Sequence, residues 1–219
     1  MGYAAAPTPL RTAVPSAPTW RWGPAAEEAL ISAVMRAQQQ GGGAIEVVAG
    51  SPDSLRACIG LLLLLLQHFE MDGLVVTTGR PARIYQQALR HWGVQRQPLT
   101  ADLVRPLLEG LSATKVASAR TVDPDSIAIE DPFDLPGLVR QLRLGLEQVA
   151  RRHGGEIYFV LVEDLEPLEA YNPRATVDRF AIELGSQLHE VGACAFFVTT
   201  PDRLGRFGRK VPSVRYGLS

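Results

Sequence analysis

Lysine is almost missing from this 219-residue chain: of its 22 basic side chains 20 are arginine, leaving only Lys115 and Lys210. Any chemistry that needs a lysine therefore has two candidates. Cysteine is equally scarce, and Cys58 and Cys194 both sit inside apolar runs where a small hydrophobe would serve as well, so they read as buried free thiols of a reducing compartment rather than a disulfide framework. No long apolar run exists. The most apolar stretch, Ile59 to Leu66, is far short of the roughly 20 residues that a membrane span requires. The first residues are rich in Ala, Pro and Thr with no apolar h-region, which gives no sign of a signal peptide. The expectation is a soluble, cytoplasmic protein.

What is present describes a folded chain. Apolar residues make up 46%, with 20 Gly and 16 Pro, which excludes collagen, coiled coil and wholesale disorder and leaves enough material for one domain with a real core. The net charge of −1 hides an uneven distribution. Residues 1–24 carry +2 and residues 201–219 carry +4, so the body between them carries −7. An acidic body with a basic exit suits a polyanionic or acidic partner at the C-terminal end.

The punctuation divides the chain into three segments. Residues 1–23 mix Pro, Ala, Ser and Thr without periodicity and read as a tail. Within it Trp20 and Trp22 suit an extended segment laid on a surface, either the chain's own or a neighbour's. Residues 24–200 alternate helix and strand: a helix from Pro24 to the glycines at 41–43, a strand at 44–48, a turn in which Ser51 would cap a helix with Pro52 at its first position, and a long helix apolar all round and therefore buried. A strand at 74–78, a helix at 81–92, a further helix at 102–111 and a weak strand at 126–129 come next. A long helix capped by Asp134, the unbroken apolar run 157–162, a helix from Pro173 to Val191 and a strand at 195–199 complete the core. Residues 201–219 give a basic loop with a possible last strand at 211–218. Near-continuously apolar strands alternating with helices predict an α/β three-layer sandwich with a mostly parallel sheet.

In such a sheet ligands lie beyond the carboxyl ends of the strands. The first strand-to-helix turn, Gly50-Ser51-Pro52-Asp53-Ser54-Leu55-Arg56-Ala57, has the strand, turn and helix context of a P-loop. With the strand at 73–78, the IYFVLVEDLEPL run and the segment from Tyr171 to Thr200, the chain resembles the RecA/KaiC-like ATPase superfamily over roughly residues 28–200. The resemblance implies a RecA-like sheet, with Glu163 and Asp164 in the Walker B place.

The departures are chemical. Against G-x-x-x-x-G-K-[ST], Leu55 replaces the second glycine, Arg56 the lysine and Ala57 the hydroxyl that holds Mg²⁺. Asp53 puts a negative charge where a phosphate would sit. Gly79 and Arg80 stand where the resemblance implies paired catalytic glutamates. Gly50, Ser51, Asp53 and Arg56 are thus a vestigial P-loop, and no cofactor, metal or catalytic residue is expected. His68, His91, His153 and His189 have no second ligand three or four residues away, so a metal site is not expected either.

Other sites stay open between two readings. Glu163 and Asp164 could hold a metal or a proton; alternatively one caps the turn at Glu166 and the other pairs with an arginine. Arg56 could grip a phosphate, or pair with Asp53 or Glu163. Arg203, Arg206, Phe207, Arg209 and Lys210 combine cations with an aromatic and could form a phosphate-and-stacking surface for single-stranded DNA, or a solvated loop. The function expected is a non-catalytic regulatory, adaptor or scaffold protein. Its partners would be proteins, including an active RecA/KaiC-like paralogue or further copies held through Trp20 and Trp22. The alternatives are a DNA-binding accessory of recombination or repair and a weak nucleotide binder.

Overall fold

A computed structural model describes residues 22–50, 53–104, 125–127, 129, 131, 133–154, 157–203, 207 and 211–217. Its elements are α1 (Pro24–Gln39), β1 (Gly43–Val48), α2 (Ser54–Leu63), β2 (Asp72–Thr77), α3 (Ala82–His91), β3 (Leu99–Asp102), α4 (Leu135–His153), β4 (Tyr158–Val162), α5 (Arg174–Glu190), β5 (Cys194–Thr199) and β6 (Ser213–Arg215). The six strands form one sheet in the order β3-β2-β4-β5-β1-β6, and every pairing is parallel.

Side chains alternate across the strands and divide the core in two. Leu74, Val76, Val160, Val162, Ala195 and Phe197 face α4 and α5. Val75, Phe159, Leu161, Ile45, Val47, Phe196 and Val198 face α1, α2 and α3. This is the expected three-layer α/β sandwich, and runs such as Tyr158–Val162 are apolar throughout because both faces are covered. The close approach of the strands has a visible cost in freedom at Gly73, where a Cβ would lie 2.5 Å from the Phe159 ring.

Three local expectations need correction. The expected helix at 102–111 is preceded by a strand: Leu99–Asp102 pairs in parallel with β2, and residues 105–111 lie outside the described residues. Asp102 ends that strand and uses both carboxylate oxygens on backbone N–H groups, those of Ala82 at 3.1 Å and Val104 at 3.0 Å. It supplies α3 with a cap that Pro81 cannot give. Of the expected strand at 126–129, the described residues show one parallel bridge, Thr100 to Ser126, and residue 128 lies outside them. The leucine-rich helix ends in a π-turn at Leu64–His68, and Leu63, Leu64 and Leu66 are half-buried, so the helix is not covered all round. It also begins at Ser54, three residues after the expected cap Ser51, which lies outside the described residues.

Trp22 is seated in this chain's own core, its ring edge-on to Tyr216 with centroids 5.0 Å apart. Beside it the Gly23 N–H donates to the Gly217 carbonyl at 2.9 Å, so the entry to α1 and the exit from β6 are held together. The own-surface alternative is the one Trp22 adopts; Trp20 lies outside the described residues. Strand β6 is fixed further by the buried carboxylate of Glu46 in β1, which accepts from the hydroxyls of Thr199 (3.1 Å) and Ser213.

Candidate functional site

From β2 the chain turns outward to β3, whereas from β4 it turns the other way to β5. The connections that leave these two adjacent strands therefore diverge, and beyond such a point parallel sheets hold ligands. A cavity of about 160 Å³ opens there, lined by Ser54, Gly79, Arg80, Asp164, Thr199 and Thr200 among others. It is smaller than the roughly 300 Å³ at which small-molecule sites begin.

The register explains what fills the rest. Val76 lies opposite Val162, so Thr78, Gly79 and Arg80 leave the sheet beside Glu163 and Asp164. The Glu163 N–H continues the ladder to the Val76 carbonyl at 3.0 Å, and the Thr78 hydroxyl donates to the Asp164 carbonyl at 2.6 Å. Glu163 is fully buried. Its Oε2 accepts from the backbone N–H groups of Thr78, Gly79 and Arg80 at 3.0, 3.1 and 3.2 Å, and its Oε1 accepts from Arg80 Nη1 at 2.8 Å. Arg80 Nη2 then donates to the Ser54 hydroxyl at 3.1 Å. One guanidinium thus ties together the carboxyl ends of β2 and β4 and the first turn of α2. Burial opposes its charge, but the hydrogen bond and ion pair with Glu163 outweigh that and hold its pKa above the usual arginine value.

Behind this cluster the Cys58 thiol approaches the Glu163 carbonyl at 3.9 Å. Burial first, and the Glu163 charge second, push that thiol well above its ordinary pKa, so it is held as a neutral S–H. Tyr85 is raised for the same leading reason, and its buried hydroxyl lies beside Cys58, Glu163 and Arg80.

Of the expected site residues, the structure brings together Glu163, Asp164, Gly79 and Arg80. Glu163 pairs with an arginine and Asp164 Oδ1 accepts the Glu166 N–H at 2.9 Å, so the pair divides between ion pair and turn cap. Arg56 stands apart, 45% exposed and 3.6 Å from Asp53. Leu55 is half-buried and Ala57 wholly buried, and the Gly50 carbonyl accepts the Asp53 N–H at 2.8 Å. Phe207 is not free to stack on a base: its ring is buried with its centroid 5.3 Å from that of Phe197. Arg203 closes a single turn at Pro201–Arg203, while Arg206, Arg209 and Lys210 lie outside the described residues. Sequence reasoning missed Ser54 and Tyr85. A serine in the first helical turn carries no signal of an arginine 26 residues on, and a tyrosine on the apolar stripe of α3 carries none of a carboxylate at the end of another strand.

An Mg²⁺ ion held as the sequence resemblance implies does not fit Glu163 and Ala57. Both oxygens of Glu163 are taken by the chain's own donors, and Ala57 has no oxygen to give. Among the described residues no three His, Cys, Asp or Glu side chains gather into a group able to hold a metal. Among those residues, too, no helix is long and apolar enough to cross a membrane.

No protein-family profile matches the sequence, and no curated protein matches it. Among solved structures the chain is similar to a KaiC-like protein from the hyperthermophilic archaeon Pyrococcus horikoshii OT3, with a TM-score of 0.47 and 15% identity over 76% of this chain and 67% of that one. A likeness at that level says nothing of activity.

Proposed function

We propose that this chain is a degenerate, non-catalytic relative of the RecA/KaiC-like ATPases that serves as a regulatory, adaptor or scaffold protein through protein contacts. The observation that carries the reading is the Arg80–Glu163 pair. The crevice at the strand ends is spanned by an internal ion pair, with an arginine in the position where the resemblance implies a catalytic carboxylate. A hydrolase of this kind needs a base to activate water and a free acid to hold Mg²⁺. Here the acid is consumed by its neighbours and the base is replaced by a cation. Each loss removes about 10²-fold or more from a rate. What remains is a parallel sheet covered by helices on both faces, and partners, among them an active paralogue or further copies of this chain, would meet the outer sides of those helices.

Steady-state assay of ATP hydrolysis with Mg²⁺ tests the reading. Release of phosphate at no more than the rate of a Glu163→Gln variant supports it; turnover that disappears on Arg56→Ala would end it.

A further inference from the structure

Three consecutive backbone N–H groups, from Thr78, Gly79 and Arg80, converge on a single oxygen of Glu163 within 3.2 Å. Successive N–H groups curved around one point form a concavity that binds anions, as phosphate sites show. Here the concavity is completed by one guanidinium N–H on the second oxygen at 2.8 Å, a charge-assisted hydrogen bond. Arg80 is itself steadied by Ser54, so the cation is positioned from behind. Five groups are therefore arranged as a receptor: three N–H donors, one charged donor and the hydroxyl that orients it.

We propose that the Thr78–Arg80 turn is an oxyanion site, with a donor set suited to a carboxylate, which the chain fills with Glu163 as a tethered ligand. The proposal stands on this hydrogen-bond geometry alone and is independent of the adaptor reading. A ligand carried on the same chain faces its receptor at an effective concentration that a free anion does not match. It also cannot drift away, because the strand that carries it is pinned on both sides of the side chain: the Glu163 N–H to Val76 and the Asp164 carbonyl to the Thr78 hydroxyl. Added phosphates and carboxylates thus meet a site already satisfied. Removing only the tethered carboxylate leaves every donor in place and opens a buried space of matching size. The buried hydroxyl of Tyr85, beside the same cluster, gives that space one more polar neighbour.

Chemical rescue tests this directly. Glu163→Ala and the wild-type chain are melted in sodium formate and in sodium chloride of equal ionic strength and pH. Wild type melts at the same temperature in both salts. Glu163→Ala melts lower in chloride, and formate raises its midpoint saturably, by about 3–6 °C at ten times the dissociation constant for a chain of this size. Adding Arg80→Met to Glu163→Ala abolishes the response. A Glu163→Ala chain that melts identically in the two salts, or a wild-type chain that gains as much from formate, would overturn the proposal. If Glu163→Ala does not fold in chloride, refolding from urea in formate decides the matter: native far-UV circular dichroism appears in formate, and failure to fold in either salt counts against the site.

Discussion

Arg80 and Glu163, 83 residues apart in the chain, meet at 2.8 Å across the ends of two adjacent parallel strands, one partner fully buried and the other about one-third exposed. Removing one member of a buried pair strands the other without compensation, which costs more than the pair contributes as a unit. Arg80→Ala leaves Glu163 with only its three N–H donors and should lower the unfolding free energy by about 2–4 kcal/mol, somewhat less than for a wholly buried pair because water can reach the vacated edge. Arg56→Ala breaks an exposed contact at 3.6 Å to Asp53 and should change stability by less than about 1 kcal/mol. Urea denaturation of the two variants checks the contrast.

Gly73 and Gly79 occur on the same strand and its exit, yet their surroundings differ. A Cβ at position 73 would come within 2.5 Å of the Phe159 ring, which is buried in the sheet's helix-covered face and cannot swing aside. Gly73→Ala should cost about 1–3 kcal/mol through overpacking. A Cβ at position 79 finds its nearest atom at 3.8 Å, so Gly79→Ala should be within about 0.5 kcal/mol of wild type and should keep the Thr78–Arg80 turn intact. Thermal melts of both variants decide between these outcomes.

Much of this arrangement was legible in the order of residues. Tyr158–Val162 and Cys194–Thr199 declare themselves as central strands because they have no polar face, and Asp134 with Gly154 brackets α4. Leu99–Asp102 did not, since a four-residue edge strand with one large apolar side chain has no period to detect. What no spacing revealed is that Arg80 would take Glu163. Arg56 and Arg80 are equally charged, and only the parallel register of β2 against β4 brings one of them to that carboxylate.

Cys194 gives the chain an alkaline limit. Burial pushes its thiol up to about 11 from an ordinary value of 9.0. Between those values the unfolded chain has released the proton and the folded chain has not, so the unfolded state binds fewer protons and stability falls as pH rises. The contribution is complete below about pH 9 and is lost on the way to pH 11, at up to about 1.4 kcal/mol per pH unit. Unfolding free energies at pH 8 and pH 10 should therefore converge more closely in Cys194→Ala than in wild type. Equal losses in the two proteins would rule this out.

Equilibrium titration of the wild-type chain with Mg·ATP, monitored by calorimetry, bears most directly on the reading of a closed, non-catalytic site. With Glu163 satisfied by its own chain and Arg80 across the crevice, no saturable binding is predicted below about 100 μM, an affinity of roughly −5.5 kcal/mol. Saturable Mg·ATP binding tighter than that, accompanied by turnover that Arg56→Ala abolishes, would contradict it.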